Sequence, residues 1–447
     1  MLNNKHGFTL LEMTIAITMF CVILLASTSA YIPIMYQFGQ QTKIAESQTK
    51  TMVGLELLKN DLVNAGYGLP WSFSNPINYL EYTDANNPNP AAANDSPSNV
   101  PRAIVVGNNL TINGALLTTM PNTDYLVVKS ALASNLSKSA AATCGSQIVA
   151  NKTSKKWTYM YSSSAGAVTL NIWQNDITTP ENMANGADNV IVLNTSGADA
   201  ASRNVLITGA ASSFATPYRN DGTFAASFQP NGNNVTYILY GIDNMTHRMP
   251  FNRADYYVSQ RRCSLSPTTY CTSAAGCTTA QGICSPSYCA DGTGVLVKAS
   301  VSHTDGSHDI DTDGFPEEIP ILDCVADFQV VLGLDTDGDG IIGTYTDLTG
   351  FNVTEAGVNL ASITALLADP VQLRTALKSI HLYILTHEGI KDKSFTYPAP
   401  TIRVGEALGG ATVLGDSIFN LAAINNYKQY RWRVLKMTIQ PTSLYPQ

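Results

Sequence analysis

The sequence predicts an α+β protein in which a long N-terminal helix, first membrane-spanning and then amphipathic, precedes a large, mainly antiparallel β-rich domain. Residues 13–42 form an uncharged, largely apolar run of 30 residues, and about 20 such residues are enough to cross a bilayer as a helix. Further along, short β-prone runs alternate with turns rich in Gly, Asn and Ser, which is typical of antiparallel sheets. We therefore expect a helix over residues 8–66 and a β-rich domain over residues 67–447.

The predicted helix changes character along its length. Residues 8–36 are apolar on all sides, which predicts the membrane-spanning half. Over residues 41–65 the apolar residues recur mostly every three or four positions, which gives this half one apolar face. Gly66 and Pro70 then predict the end of the helix, because Gly adopts a left-handed cap and Pro cannot continue the helical hydrogen bonds.

The globular part is predicted from short runs of strand-forming residues. Seven of these runs share an apolar, β-prone composition: 103–106, 125–128, 157–161, 168–173, 190–193, 205–207 and 235–240. Residues 370–380 predict a short helix that leads into a strand at 381–386, and residues 430–439 predict a final strand. Residues 84–101, rich in Asn, Pro, Ala and Ser, predict a loop or a partly disordered linker.

The composition favours an exported protein over a cytosolic enzyme. The 447-residue chain is 45% hydrophobic and 13% charged, about half the usual charged share of a globular protein. The net charge is −8 and Lys and Arg form no cluster, whereas phosphate binding needs concentrated positive charge. We therefore expect that the protein binds no nucleic acid directly.

One acidic residue, Glu12, lies at the edge of the apolar run. A carboxylate at the edge of hydrocarbon is costly, so a compensating group is expected. Three interpretations of the N-terminus are open: a secretory signal cut after Ala30, an uncleaved membrane anchor, or a short processed leader. A cut after Ala30 is disfavoured because it would discard the apolar half of a helix that continues to residue 66.

The residues around Glu12 resemble the processing site of type IV pilin precursors. A short basic leader, residues 1–7, ends in Gly7, and Phe8 opens the run Phe-Thr-Leu-Leu-Glu. The resemblance implies that a prepilin peptidase cuts after Gly7 and that Phe8 is N-methylated. It also implies that Glu12 meets the Phe8 amine of a neighbouring subunit during assembly, and this opposite charge would offset the desolvation of the carboxylate.

Scattered segments also resemble PilW-type minor pilins: residues 58–69, 239–257, 289–296, 321–340 and 430–440. The resemblance implies a minor pilin that helps to initiate and assemble the type IV pilus, at the filament tip. Its implied partners are other minor pilins, the major pilin, the prepilin peptidase and a large tip adhesin. It further implies a single-pass inner-membrane protein with a cytoplasmic N-terminus and a periplasmic domain, which joins the pilus on the cell surface after assembly. Two alternatives stay open, a minor pseudopilin of type II secretion and a pilus-borne adhesin module.

The cysteines indicate an exported, disulfide-containing insert. Five of the eight lie within residues 263–289, and the others are Cys21, Cys144 and Cys324. Zinc is disfavoured there because the cluster has neither CxxC spacing nor His. The resemblance implies a Cys289–Cys324 disulfide, and we expect a Cys263–Cys284 disulfide within the insert. Seven exported cysteines leave at least one thiol free or bonded between chains.

An acidic stretch offers a candidate calcium site. Asp335, Asp337 and Asp339 alternate along the chain, and the carbonyl of Ile341 follows at the seventh position, as in the first half of an EF-hand loop. The twelfth position, where Glu belongs, has no carboxylate, and Asp347 comes one residue later. Calcium binding and a metal-free Asp/Gly turn therefore stay equally open, and no cofactor is required.

Catalytic motifs are missing from the sequence. The six histidines have no HExxH spacing, and neither a GxSxG motif nor a P-loop occurs. His303 and His308 flank Asp305, where a polar surface hairpin is preferred to a transition-metal site. Residues 309–314 repeat the alternation of Asp but favour a plain turn. We therefore expect a protein that is not an enzyme.

Overall fold

The computed structural model describes residues 9–85, 89–112, 117–133, 157–171, 186, 189–197, 202–242, 247–308, 318–347, 351–353, 358–409 and 412–444. They form a long N-terminal helix followed by a large, antiparallel β-rich domain, which confirms the predicted fold class. Gly7, Phe8, Cys144 and residues 309–314 lie outside the described residues, so what is expected of them stays a prediction.

The described residues form three α-helices, α1 (Leu10–Val63), α2 (Leu360–Ala368) and α3 (Pro370–Ala376). Their strands are, in chain order, β1 (Ser72–Phe73), β2 (Ile104–Gly107), β3 (Tyr125–Ser130), β4 (Trp157–Ser162), β5 (Val168–Asn171), β6 (Asn189–Asn194), β7 (Val205–Leu206), β8 (Thr216–Pro217), β9 (Thr236–Gly241), β10 (Asn252–Ser259), β11 (Arg261–Cys263), β12 (Ser266–Cys271), β13 (Cys284–Ser285), β14 (Gly294–Ser300), β15 (Ile319–Leu334), β16 (Thr344–Thr346), β17 (Phe351–Val353), β18 (Leu377–Glu388), β19 (Thr401–Gly409), β20 (Thr412–Asn420) and β21 (Arg431–Ile439).

The strands are arranged in two large sheets and two small ones. The main sheet has the order β17-β16-β15-β14-β10-β3-β2. In addition, β18 pairs with β15, and β21 pairs with β18. The second sheet has the order β1-β7-β6-β9-β4-β5, with β8 paired to β6. The cysteine-rich insert forms the sheet β12-β11-β13, and β19 and β20 form a hairpin. In the described residues only β1 and β7 pair in parallel.

α1 is one helix of 54 residues, about 80 Å long at about 1.5 Å per residue. It ends at Val63, slightly before residue 66, where Asn64 caps it and Gly66 follows with a φ of 84°. Its C-terminal half lies on the main sheet, with Leu58 and Leu62 fully buried. The amphipathic pattern of residues 41–65 therefore reflects burial against this chain's own domain.

The central strands of the main sheet separate two apolar cores. On β15, Phe328 and Val330 face the core shared with α1, whereas Val331 faces the core under the β19–β20 hairpin. The alternation follows from the two-residue period of a strand. α1 and the β19–β20 hairpin therefore cover opposite faces of the same sheet.

The seven predicted strand-forming runs all form strands, as β2 to β7 and β9, with bounds shifted by one or two residues. The helix expected near residue 370 is α3, and β18 follows it directly and is longer than predicted. The final strand is β21. These predictions rested on short β-prone runs and on the turn residues that flank them.

The segment expected to be a linker packs instead. Residues 89–93 form a 3₁₀ turn, and Asp95 is buried, with its carboxylate 2.6 Å from the guanidinium of Arg102. Asp95 and Glu81 both contact the buried ammonium of Lys129 on β3. Removing one partner of a buried ion pair costs about 3–5 kcal/mol, so these charges fix the segment to the main sheet. Composition alone predicts flexibility there because it does not show which distant cations the acids meet.

Candidate functional site: the exposed half of the long helix

The first turn of α1 is closed by a capping box between Thr9 and Glu12. The Glu12 carboxylate accepts hydrogen bonds from the Thr9 backbone N–H at 2.9 Å and from its hydroxyl at 3.0 Å. The Thr9 hydroxyl in turn lies 3.3 Å from the Glu12 backbone nitrogen. The hydrogen bonds from Thr9 of the same chain therefore offset part of the desolvation cost of the Glu12 carboxylate. Sequence reasoning missed it although Thr-x-x-Glu is the pattern of a capping box.

The first half of α1 leaves its apolar side chains uncovered by the domain. Among the described residues α1 is the one helix long and apolar enough to cross a bilayer; an 18-residue stretch of it has a mean hydropathy of 2.2, and none of that stretch is buried. Large apolar side chains are exposed from Leu10 to Phe38. A continuous apolar surface of this size on a soluble monomer is rare. Lipid or other protein must therefore cover it.

Four hydroxyl side chains of this half hydrogen-bond to the helix's own backbone. The hydroxyls of Thr14, Thr18, Thr28 and Ser29 donate to backbone carbonyls one turn earlier, at 2.8–3.0 Å. Such bonds remove the need for water, which is the condition for placing hydroxyls in hydrocarbon. These side chains therefore fit a membrane-embedded or helix-packed environment.

The second half of α1 is fixed to the domain by close packing and by buried polar contacts. A Cβ on Gly54 would lie 1.9 Å from the carbonyl oxygen of Ile321 on β15, so helix and strand are in backbone contact there. Asp61 is buried, and its carboxylate contacts the Lys298 ammonium and the Tyr256 hydroxyl. One rigid helix thus connects the folded domain to an exposed apolar half.

Comparison with known families identifies the N-terminal segment. Residues 2–28 match the family model described as the prokaryotic N-terminal methylation motif. This prepilin-type motif contains Gly7, Phe8 and Glu12, and it supports a relation to type IV pilin-like proteins that a prepilin peptidase processes. The apolar first half of α1 is consistent with a membrane anchor, which fits this motif. Neither the comparison with curated proteins nor that with solved structures finds a match.

The disulfides agree with one expected pair and contradict the other. Cys289 and Cys324 form a disulfide, with their Cα atoms 4.9 Å apart, as the resemblance implies. The expected Cys263–Cys284 disulfide is wrong. The pairs are Cys263–Cys277 and Cys271–Cys284, although Cys263 and Cys284 lie opposite each other on β11 and β13. Spacing along the sequence does not determine connectivity.

The three aspartates of the candidate calcium site do converge. Their ligand oxygens lie within 4.8 Å of one another, in the loop between β15 and β16. Asp335 accepts hydrogen bonds from the backbone N–H groups of Gly338 at 2.7 Å and Gly340 at 3.0 Å. Although burial raises the pKa of Asp335, these bonds and the Lys378 ammonium, 3.3 Å away, lower it overall. The loop is thus held by its own hydrogen bonds.

Asp347 does not complete this site. It follows β16, and Thr346 pairs with Leu332 while Thr344 pairs with Leu334. The chain therefore runs back along β15, and a strand rises about 3.3 Å per residue, which carries Asp347 away from the loop. Its carbonyl accepts a hydrogen bond from Asn108 instead. A hairpin replaces the helix that would return a twelfth-position ligand in an EF-hand.

The segment of the two histidines that flank Asp305 does form a tight hairpin, with Val301 paired to His308 and Asp305 exposed, but both imidazole rings are buried. His308 is buried with its Nε2 3.2 Å from Asp255, and His303 is buried with its Nε2 3.0 Å from the Asn252 side chain. Burial raises the pKa of Asp255, but Arg253 and His308 lower it overall. Burial lowers the pKa of His303 well below its ordinary value. Both rings are therefore part of the buried core. Their Nε2 atoms contact Asn252 and Asp255 rather than Asp305.

Proposed function

We propose that this chain is a minor pilin of the PilW type that helps to initiate and assemble the type IV pilus, at the filament tip. A prepilin peptidase removes residues 1–7 after Gly7, and Phe8 becomes N-methylated. The protein then sits in the inner membrane with its N-terminus in the cytoplasm and its β-rich domain in the periplasm. It joins other minor pilins, the major pilin and a tip adhesin, and its role is assembly rather than catalysis.

One observation carries the proposal: a prepilin-type motif opens a helix whose apolar half is exposed and whose other half is locked to a folded domain. In such a helix the exposed half can move from lipid into contact with other helices without unfolding the domain. The Glu12 carboxylate lies at the start of that half. A neighbouring amine there would add an opposite charge in a low-dielectric setting.

The test separates the charge of Glu12 from its capping role. Glu12→Gln keeps an oxygen that accepts the Thr9 hydrogen bonds, whereas Glu12→Ala removes both the charge and the cap, which costs about 1 kcal/mol. Each variant is expressed in a deletion strain, and surface pili are counted by electron microscopy of sheared fractions. We expect both variants to be processed normally and both to fail to restore pili. Glu56→Ala, at a position 71% exposed in the second half of α1, is the matched control and should restore them.

The outcomes decide between the alternatives. Normal pili with Glu12→Gln would contradict the charge-pairing role, and if Glu12→Ala still failed, the cap alone would account for the effect. Normal pili in the deletion strain with poor surface attachment would favour the adhesin module. Normal pili with loss of type II secretion would favour the pseudopilin.

A further inference from the structure

The domain first covers α1 where the apolar run of the helix ends. Side chains of α1 whose burial is described are exposed before Gln40, and Gln40 itself is buried. The nitrogen of its side-chain amide lies 3.5 Å from the backbone carbonyl oxygen of Lys391. A Cβ on Gly389 would lie 2.9 Å from the side chain of Ile44. The loop at residues 389–393, directly after β18, therefore packs on α1 at the first position that the domain covers.

This contact lies at the level expected for the outer surface of a bilayer. The uncharged run of residues 13–42 contains 30 residues, which as a helix are about 45 Å long. A bilayer with its two headgroup layers is about 40–45 Å thick. When the run is centred in the bilayer, its last residues lie among the outer headgroups. Since Gln40 is one of them, the loop at residues 389–393 lies there as well.

Three exposed lysines lie on this loop or beside it. Lys391 and Lys393 are exposed on either side of Asp392, which is buried. The backbone N–H of Asp392 donates to the carbonyl oxygen of Gln429 at 2.8 Å, which brings the exposed Lys428 next to the loop. We call Lys391, Lys393 and Lys428 the basic rim. All three lie far from the apolar run in sequence, so the sequence alone shows no basic cluster beside it.

The acids next to the basic rim are paired with arginines. The segments at residues 388–397 and 427–433 contain two carboxylates. That of Asp392 lies 2.9 Å from the guanidinium of Arg431, and that of Glu388 contacts Arg433. In the part of the chain that the structure describes, no carboxylate lies within 4.0 Å of an ammonium group of the basic rim. The basic rim therefore presents positive charge to its surroundings, on a chain whose net charge is −8.

Tyrosine side chains accompany the basic rim. Tyr397 and Tyr427 are half-buried, and the ammonium of Lys428 lies 6.0 Å from the centre of the Tyr427 ring. The backbone N–H of Tyr397 donates to the carbonyl oxygen of Lys428 at 2.7 Å. Tyr at the level of the headgroups, together with Lys side chains that extend toward them, is typical of protein surfaces at a membrane interface. The composition of this surface therefore agrees with its level in the bilayer.

We propose that the basic rim binds the anionic lipid headgroups of the bilayer that α1 crosses. Position selects this partner, because the lysines lie beside the helix at the end of its apolar run, where lipid phosphates are the nearest anions. The binding holds the β-rich domain against the membrane surface until α1 leaves the lipid. This inference rests on the membrane arrangement proposed above, but not on a role at the pilus tip.

The experiment compares the full chain in nanodiscs of phosphatidylcholine alone with the full chain in nanodiscs of equal parts phosphatidylcholine and phosphatidylglycerol. Hydrogen–deuterium exchange, read by mass spectrometry, reports on the backbone amides of residues 389–397. We expect their exchange to be slower by about fivefold in the mixed discs, since one lysine near an anionic surface strengthens association by about that factor. Salt at about 1 M should remove the difference, because charges then act over only about 3 Å.

Two double variants separate the basic rim from the net charge of the protein. Lys391→Gln/Lys393→Gln removes two lysines of the basic rim, and its exchange should be the same in both kinds of disc. Lys59→Gln/Lys436→Gln removes two lysines elsewhere in the chain, which are 50% and 48% exposed. This control makes the same change in net charge and should keep the slower exchange in the mixed discs.

The outcomes that contradict the proposal are distinct from those that contradict the proposed function. Equal exchange of the wild type in both kinds of disc would overturn the proposal, as would an unchanged effect in Lys391→Gln/Lys393→Gln. Equally slow exchange with inorganic phosphate in detergent would show a site for soluble anions instead of a lipid surface. Co-elution of the chain with the discs is measured first. A chain that stays outside the discs contradicts the proposed function as well, whereas equal exchange in a chain that co-elutes overturns this inference alone.

Discussion

Gly54 lies at the closest approach of α1 to the main sheet, and its replacement by Ala tests how the helix is held. The added Cβ would lie 1.9 Å from the Ile321 carbonyl oxygen, whereas real Cβ atoms stay beyond 3.0 Å, so α1 must move by roughly 1 Å. The carbonyl belongs to the backbone of β15, at a register shift between the pairs Leu296–Leu322 and Val297–Pro320. The movement would loosen the packing of Leu58 and Leu62 in the core below.

The magnitude follows from two opposing contributions. Overpacking a tightly packed contact costs about 1–3 kcal/mol, and larger values occur where backbone must shift. Ala gains about 1 kcal/mol over Gly in a helix interior. Because the clash is with backbone, we expect Gly54→Ala to lower the free energy of unfolding by about 2 kcal/mol. Gly39→Ala has the same helix propensity gain, and its Cβ meets no atom within 4 Å, so this control should be slightly stabilised.

The measurement is urea unfolding of the full chain in detergent, followed by tryptophan fluorescence. Trp71 is buried against Arg374 near the end of α1 and reports on this region. If Gly54→Ala is as stable as Gly39→Ala, helix and strand are not in backbone contact, and the account of how α1 is fixed to the domain fails.

Three further predictions concern the domain. Because burial raises the pKa of Asp327 to about 6, folding favours its protonated form, and that stability is full below about pH 4 and is lost as the pH rises through about 6. The free energy of unfolding of Asp327→Asn, relative to that of the wild type, should therefore increase by up to about 3 kcal/mol as the pH rises from 4 to 7, measured by urea titration. A difference that does not change with pH would contradict this. Millimolar Ca²⁺ should raise the melting temperature by screening the three converging carboxylates, and Asp337→Ala should remove the effect; equal melting in Ca²⁺ and in chelator would leave the metal-free turn. Replacing Cys289 and Cys324 by Ala opens a loop with a sequence separation of 35 and should cost about 3–4 kcal/mol; an unchanged urea midpoint would refute this.

Local patterns predicted much of the fold. α1 and the seven strand-forming runs depend on periodicity and on turn residues that lie within each segment. The disulfides of the insert could not be predicted in the same way, because Cys263 has several candidate partners within the insert and the choice depends on how β11 and β12 fold.

The parts that the sequence did not predict are assembled from distant segments. One of the cations that hold Asp95 comes from β3, and the cleft beside Asp327 is lined by the β2–β3 connection, β15 and β20. No spacing rule links residues so far apart in sequence. The capping role of Glu12 is the exception, since Thr9 lies three positions away and the pattern was visible.

The most direct test of the central claim is the mass of the N-terminal peptide of the mature protein purified from cells. Cleavage after Gly7 followed by methylation predicts a chain that begins at N-methylated Phe8. It also predicts that blocking the prepilin peptidase restores Met1 as the first residue. A mature chain that begins at Tyr31 would discard most of the exposed half of α1, and with it the assembly role proposed for this protein.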